Sequence, residues 1–539
     1  MKRIRWVLLA SISAVALTQS LSGAADTNPQ PVGFTHNVLD APAPDTSAQF
    51  GTAPKVKTGT PLCMTGTQSP AQANTDCAPL GVMGPHNETS IAVNPTNPKN
   101  MIGGANDYQL VLNPDGHLAE TILSQAHVTF DGGSTWSDYP VFSNASYQAT
   151  GDPSLAFDAD GHAYYGTLGF RFVSKTNAQS ADVLVSNAGD GGKTWSVVRV
   201  DSGSGIFSSP GDLLDKPYVA AWGHGNAIVT FTDFLQGQKG SFISATLHSA
   251  VTHDGGQTWS AINNIANGFN AASLTTPVVT ADNPARIFVS FLNTAHTDGS
   301  DDYAVVEVSS ITGAQVSSPV IVDNIVDGTN AYPVEFGRQT YQDSVFRNGA
   351  PVSLAADPTN GAHLAAVWSD MRNSSTVTAP FDPYSTTTNS DVIVSESFQH
   401  GAAGTWSKPQ ALAITNDQFM PWAVFDTSGH LRIGFFDRSY DSANHKYGYT
   451  VATETSDTPL TFSFKEVSTA LSDPTQGDRW FSGTTVNNSF PNPTAFMGDY
   501  SNIAAAPGGG VVAYWTDMRN TVTFGRTGFG QDAYFAATT

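Results

Sequence analysis

Charge is scarce in this chain of 539 residues: only 13% are Asp, Glu, Lys or Arg, about half the share usual in soluble domains. The shortage is one-sided. Lys and Arg number 24 against 46 Asp and Glu, and the resulting formal charge of −22 argues against a nucleic-acid backbone or an anionic lipid surface as partner. Cysteine is almost absent. The pair Cys63 and Cys77 flanks the polar segment MTGTQSPAQANTD, which reads as one local disulfide, and no further ligands of a zinc site accompany it. Long hydrophobic runs are missing apart from Trp6 to Leu17, which follows Lys2, Arg3 and Arg5 and precedes Ser22, Gly23, Ala24 and Ala25. That order is the layout of a secretory signal peptide, so residues 1–25 are set aside and the mature chain is expected to be secreted. No later stretch reaches the roughly 18 apolar residues of a spanning helix. HExxH, P-loop and GxSxG motifs are also lacking.

What is abundant is glycine (49) and proline (31), a profile of many short strands and turns. Self-similarity confirms it. A short apolar run, a turn and a second run ending in a polar residue recur as ETSIAVNPTNPKNMIGGAND, DPSLAFDADGHAYYGTLG, KPYVAAWGHGNAIVTFTD, TPVVTADNPARIFVSFLN, PVSLAADPTNGAHLAAVWSD, MPWAVFDTSGHLRIGFFD and YSNIAAAPGGGVVAYWTD. The first residues of these seven copies form the column Glu88, Asp152, Lys216, Thr276, Pro351, Met420 and Tyr500, spaced by 60 to 80 residues, room for four strands each.

A second motif sits within the repeats: FDGGSTW at 130–136, GDGGKTW at 189–195 and HDGGQTW at 253–259, with a degenerate GAAGTWS at 401–407. Asp131, Asp190 and Asp254 can accept bonds from turn amides, the glycines can take positive φ, and Trp136, Trp195 and Trp259 can bury against a sheet. This motif resembles the Asp box, or bacterial neuraminidase repeat, of the sialidase superfamily. An all-β, seven-bladed β-propeller with Asp-box turns is therefore expected over residues 26–539, with six blades, as in sialidases, the alternative. The last repeat ends in DAYFAATT, a third strand without a fourth, and GFTHNVLD at 33–40 is expected to complete that blade.

Two rings of residues then converge. The column at the starts of the inner strands is polar and differs between blades, unlike a purely structural repeat. Long connections such as DGTNAYPVEFGRQTYQDSVFRNG enter at the same end, where sites are expected. The ends of the second strands give Asn106, Asp233, Asn293, Asp370, Asp437 and Asp517, followed by Arg372, Arg438 and Arg519. Those arginines, with Arg171, Lys216, Asp233 and His86, are candidate substrate-binding residues, since guanidinium forks suit carboxylates and sulfates. The competing reading pairs each Arg with an Asp between blades. The resemblance implies a tyrosine nucleophile with a glutamate partner and an aspartate acid/base, which points to Tyr500 in GDYSNIAAAPGG, Glu88 in NETSIAV and Asp152 as catalytic residues. Asp152, Asp215 and Asp233 also offer paired carboxylates for glycoside hydrolysis. Clustered acids in HTDGSDD at 296–302 leave calcium open, although no cofactor or metal is otherwise expected.

These observations imply a monomeric, secreted, sialidase-like glycosidase acting on acidic or complex extracellular glycans. A non-catalytic propeller that binds carbohydrate or protein and a polysaccharide lyase are the alternatives. Catalysis requires an acid, a Tyr or His and cationic groups within reach of one another.

Overall fold

A computed structural model of the chain describes residues 85–538 apart from 113–117, 142–146, 148, 175–176, 205–210, 238–241, 267–270, 294–300, 327–333, 336–337, 345, 347–351, 374–387, 413, 475–484, 487–493, 496, 520 and 524–526. The signal-peptide segment, the strand expected at 33–40, the Cys63–Cys77 pair, Pro351 and most of the 296–302 loop lie outside the described residues.

Each repeat folds into an antiparallel sheet because its apolar runs are short, β-branched and bounded by turn residues. The second repeat shows the pattern, with strands Ala149–Phe157, Ala163–Ser174, Asn177–Ala188 and Ser196–Ser202 hydrogen-bonded in that order. Among the described residues, the sheets of six repeats have four strands and that of the seventh repeat has three, Asn502–Ala505, Val511–Asp517 and Asp532–Thr538. The inner strands are His86–Val93, Ala149–Phe157, Gly211–Trp222, Ala271–Val279, Ser353–Ala356, Gln418–Phe425 and Asn502–Ala505. Each touches the next in this order, and the last returns to the first, so the sheets are seven blades around one axis. Among the described residues there is no α-helix, hence none long and apolar enough to cross a membrane.

The seam between blades 7 and 1 closes through backbone and side chains together. Thr89 and Ser501 form a parallel bridge, their hydroxyls 3.0 Å apart, and the Ile91 amide donates to Asn502 Oδ1 at 2.7 Å. The same stitch recurs elsewhere. The residue two places after the column accepts from the inner strand of the next blade: Ser90 from the Leu155 amide (3.1 Å), Ser154 from Val219 (3.2 Å), Ser353 from Ala423 (2.9 Å). Blades 3 and 6 carry Tyr218 and Trp422 there instead, and these rings meet across the axis with centroids 5.0 Å apart. Aromatic rings thus fill the hub.

Asp boxes cap the opposite end. The Asp131 carboxylate takes the Thr135 amide (2.9 Å) and hydroxyl (2.7 Å), and Gly132 and Gly133 hold φ of 80° and 91°. In the degenerate copy, Ser397 Oγ receives the Gly401 amide (3.1 Å), as Thr129 Oγ1 receives that of Gly133 (2.9 Å). The turn survives without its acid because the hydroxyl before it supplies part of the same wiring.

Candidate functional site

The repeat column becomes a site through a repeated backbone distortion. At Glu88, Asp152, Lys216 and Met420 the chain adopts φ of 53°, 57°, 51° and 49°, and in each case two residues of the inner strand oppose one of its neighbour. These are β-bulges, which turn a side chain out of the alternation of the strand. Pro153, Pro217 and Pro421 occupy the second bulge position, where a missing N–H costs no ladder bond. Left-handed φ at non-glycine residues is strained, and such strain concentrates at functional sites.

Three of the four bulged side chains meet at one point with Tyr500, the first residue of the final repeat, and Asp499 just before it. Lys216 Nζ lies 3.0 Å from Glu88 Oε1, 3.0 Å from Asp152 Oδ2 and 3.2 Å from Asp499 Oδ2. It also stands over the Tyr500 ring, 5.3 Å from the centroid. Glu88 further accepts from Asn106 Nδ2 (3.1 Å) and from the Asp499 amide (3.1 Å). Asn106 Oδ1 in turn receives the Asp152 amide at 2.8 Å, and Asp215 Oδ1 receives that of Lys216 at 2.8 Å. Glu88, Asp152, Asp215, Lys216 and Tyr500 are all at most 2% exposed, while the Asp499 side chain reaches 10%. Gly498, at φ 86°, lies directly against Glu88: a Cβ there would stand 2.5 Å from Glu88 Cγ and 2.7 Å from its amide nitrogen.

Burial governs the protonation of this cluster. It pushes the Asp152 carboxyl up to about 7, against the pull of Lys216 and with a push from Asp215. Asp215 is raised to about 8, again by burial first, with Glu88 and Asp499 adding to it. Lys216 is held well above its ordinary value because four carboxylates outweigh its own burial. The Tyr500 phenol is driven well above the usual tyrosine range by burial and then by Glu88, and its hydroxyl donates to the Pro153 carbonyl at 2.9 Å.

Of the residues singled out in the sequence, Glu88, Asp152, Lys216 and Tyr500 therefore share one site. His86 pairs with Asp107 (3.4 Å) and lies edge-on to His127, whose Nδ1 meets the Tyr514 hydroxyl at 2.5 Å. The arginines hold partners of their own. Arg372 clasps Asp370 (2.7 Å) and reaches Asp323 of blade 4 (2.9 Å), and Arg519 clasps Asp517 (2.6 Å) and reaches Thr469 beyond blade 6 (2.6 Å). Arg438 is fully buried against the faces of Phe346 and Phe419, and its Nη1 bonds Asp417 (3.1 Å), the Gln342 carbonyl (2.9 Å) and the Asn444 carbonyl (3.2 Å). Each Arg pairs with an acid, and Arg372 and Arg519 tie their blade to the preceding one. Asp233 stands opposite Thr246 and Leu214 in blade 3, raised to about 7 by burial and by Asp212 and Asp201. Arg171 pairs with Ser180 across blade 2, and its side chain lies outside the description.

Asp499 and Gly498 were missed by sequence reasoning. The available signal was the position before the column, which is Asp in blades 3 and 7 (Asp215, Asp499) and polar Asn87 in blade 1. Among the described residues no group of His, Cys, Asp and Glu is arranged to hold a metal ion.

No family model and no curated protein matches the sequence. Solved structures do. The GH93 α-L-arabinofuranosidase of Fusarium graminearum, in complex with arabinobiose, is 12% identical over 85% of this chain and 96% of its own, with a TM-score of 0.39. A Penicillium chrysogenum α-L-arabinanase complexed with arabinobiose is 10% identical over 84% and 93%, with a TM-score of 0.40. The Hadza microbial sialidase Hz136 is 12% identical over 78% and 76%, with a TM-score of 0.39. This chain is a seven-bladed β-propeller with Asp-box turns, the blade number that the seven repeats implied rather than the six-bladed alternative.

Proposed function

We propose that the protein is a glycoside hydrolase whose reacting groups are Asp152 and Glu88 at the propeller axis. One observation carries the proposal: two acids contact the same ammonium at 3.0 Å each. Asp152, desolvated and raised to about 7, retains a proton at neutral pH and is suited to protonate a leaving-group oxygen. Glu88 accepts from Lys216, Asn106 and the Asp499 amide, the surroundings of a carboxylate. Both acids contact the same Lys216 Nζ at 3.0 Å, and we take so close a pair to act by the retaining course. Glu88 attacks the anomeric carbon as Asp152 protonates the departing oxygen, and Asp152 then takes a proton from the water that releases the glycosyl group. Asp499, the most exposed member of the cluster, marks the side of approach. Tyr500, whose hydroxyl is committed to Pro153, packs beneath Lys216 as support.

Export is part of the same proposal, supported by the basic and apolar residues at positions 2–17. The test is hydrolysis by the purified chain across a panel of glycosides, with Asp152→Asn, Glu88→Gln and Tyr500→Phe compared. Loss of an acid/base group is expected to lower kcat by about 10²–10⁴-fold, while Tyr500→Phe retains most of the rate. Full activity in Asp152→Asn would remove Asp152 from the mechanism. Abolition by Tyr500→Phe in a folded protein would return the nucleophile to the tyrosine.

A further inference from the structure

Charge at the axis also bears on which sugar can occupy it, and this step rests on the glycosidase reading above. An ammonium has three N–H donors. Lys216 donates to Glu88 and stands within 3.0–3.2 Å of Asp152 and Asp499 as well, so its charge is already shared among acids of the protein. Asp215, buried beside it, adds a fourth acid to a centre with one cation. Among the described residues, Arg372, Arg438 and Arg519, which the sequence offered as clasps for an anionic sugar, pair with Asp370, Asp417 and Asp517. The whole chain, at −22, presents the same sign to anything approaching from solution.

We propose that the saccharide ring taken at the axial cluster carries no anionic substituent: the substrate class is neutral or ammonium-bearing glycans, not sialosides or uronides. Acids outnumber the single lysine at this centre, an excess that repels a ligand carboxylate and favours the positive charge that develops at the anomeric centre during glycoside cleavage. With the cluster at even a single net negative charge, a ligand carboxylate about 5 Å away is penalised on the order of a hundred-fold at an effective dielectric of about 20.

The test compares matched nitrophenyl glycosides of the full-length protein: neutral hexosides and pentosides, a 2-amino-2-deoxyhexoside, the corresponding uronides and a sialoside, each at low and high salt. Cleavage of neutral or amino sugars with kcat/KM at least about a hundred-fold above the uronides and the sialoside is expected. Raising the salt is expected to narrow the gap, and Asp499→Asn to raise the ratio of anionic to neutral turnover. Preferential cleavage of a uronide or sialoside overturns the inference and leaves the hydrolase reading standing. A parallel arm measures binding of the same sugars to Asp152→Asn by saturation-transfer NMR. Binding of neutral sugars without turnover by the unaltered protein sinks the hydrolase reading and keeps the substrate class. Binding of anionic sugars alone, or of none, overturns the substrate class.

Discussion

Replacing Lys216 by Met keeps the aliphatic stem and deletes the charge that Glu88, Asp152 and Asp499 share. At 3.0 Å and an effective dielectric of about 20, each contact is worth about 5–6 kcal/mol of gross attraction. Most of that offsets the cost of burying the ammonium and the acids. What survives when one member of a buried charge pair is removed is about 3–5 kcal/mol of lost stability. The loss must depend on pH. Asp152 and Asp215 are raised to about 7 and 8, so the folded protein holds their protons at pH values where the unfolded chain has released them. A raised carboxyl weighs least at low pH and destabilises progressively as pH rises toward its folded value. Without Lys216 these acids rise further, so Lys216→Met should lie close to the parent protein near pH 5 and fall well below it near pH 8. Urea unfolding followed by near-ultraviolet circular dichroism at both pH values measures this. A deficit below about 1 kcal/mol at pH 8, or an equal deficit at both, would refute the claim that one lysine neutralises a dry acid cluster.

Two further substitutions probe the scaffold. Ser154→Ala removes the acceptor of the buried Val219 amide between blades 2 and 3, and a loss of about 1–3 kcal/mol is expected in denaturant unfolding; an unchanged midpoint would mean the stitch contributes nothing. Gly498→Ala meets both a left-handed φ and a clash with Glu88, so it should lose activity and about 1–3 kcal/mol of stability, and wild-type turnover would show that Glu88 tolerates displacement.

Much of the fold was legible along the chain. Each blade is built from contacts between residues near in sequence, so apolar runs, turn glycines and Asp boxes report it directly, and even the degenerate box at 401–407 keeps its turn. The hub stitch was legible in principle, as Ser90, Ser154 and Ser353 recur two places after the column. The site was half legible. Glu88, Asp152, Lys216 and Tyr500 stood out because packing alone does not explain a repeat position that is polar and differs between blades.

What the sequence by itself determined is periodicity: seven units, the strand pattern of each, and the order in which they follow one another. Only the tertiary structure decided how those units spend their charges. The arginines after the second strands and the lysine at the head of the third repeat are equally basic on paper. Ring closure brings Asp499, from the last blade, against Glu88 and Lys216, from the first and third, across hundreds of residues. Blade packing instead hands Arg372 and Arg519 to acids two residues away. Local pairing can be read from spacing. The meeting of distant side chains at an axis depends on bulges that re-aim them, which each blade makes within itself, and on burial that sets their protons, which exists only once the ring has closed.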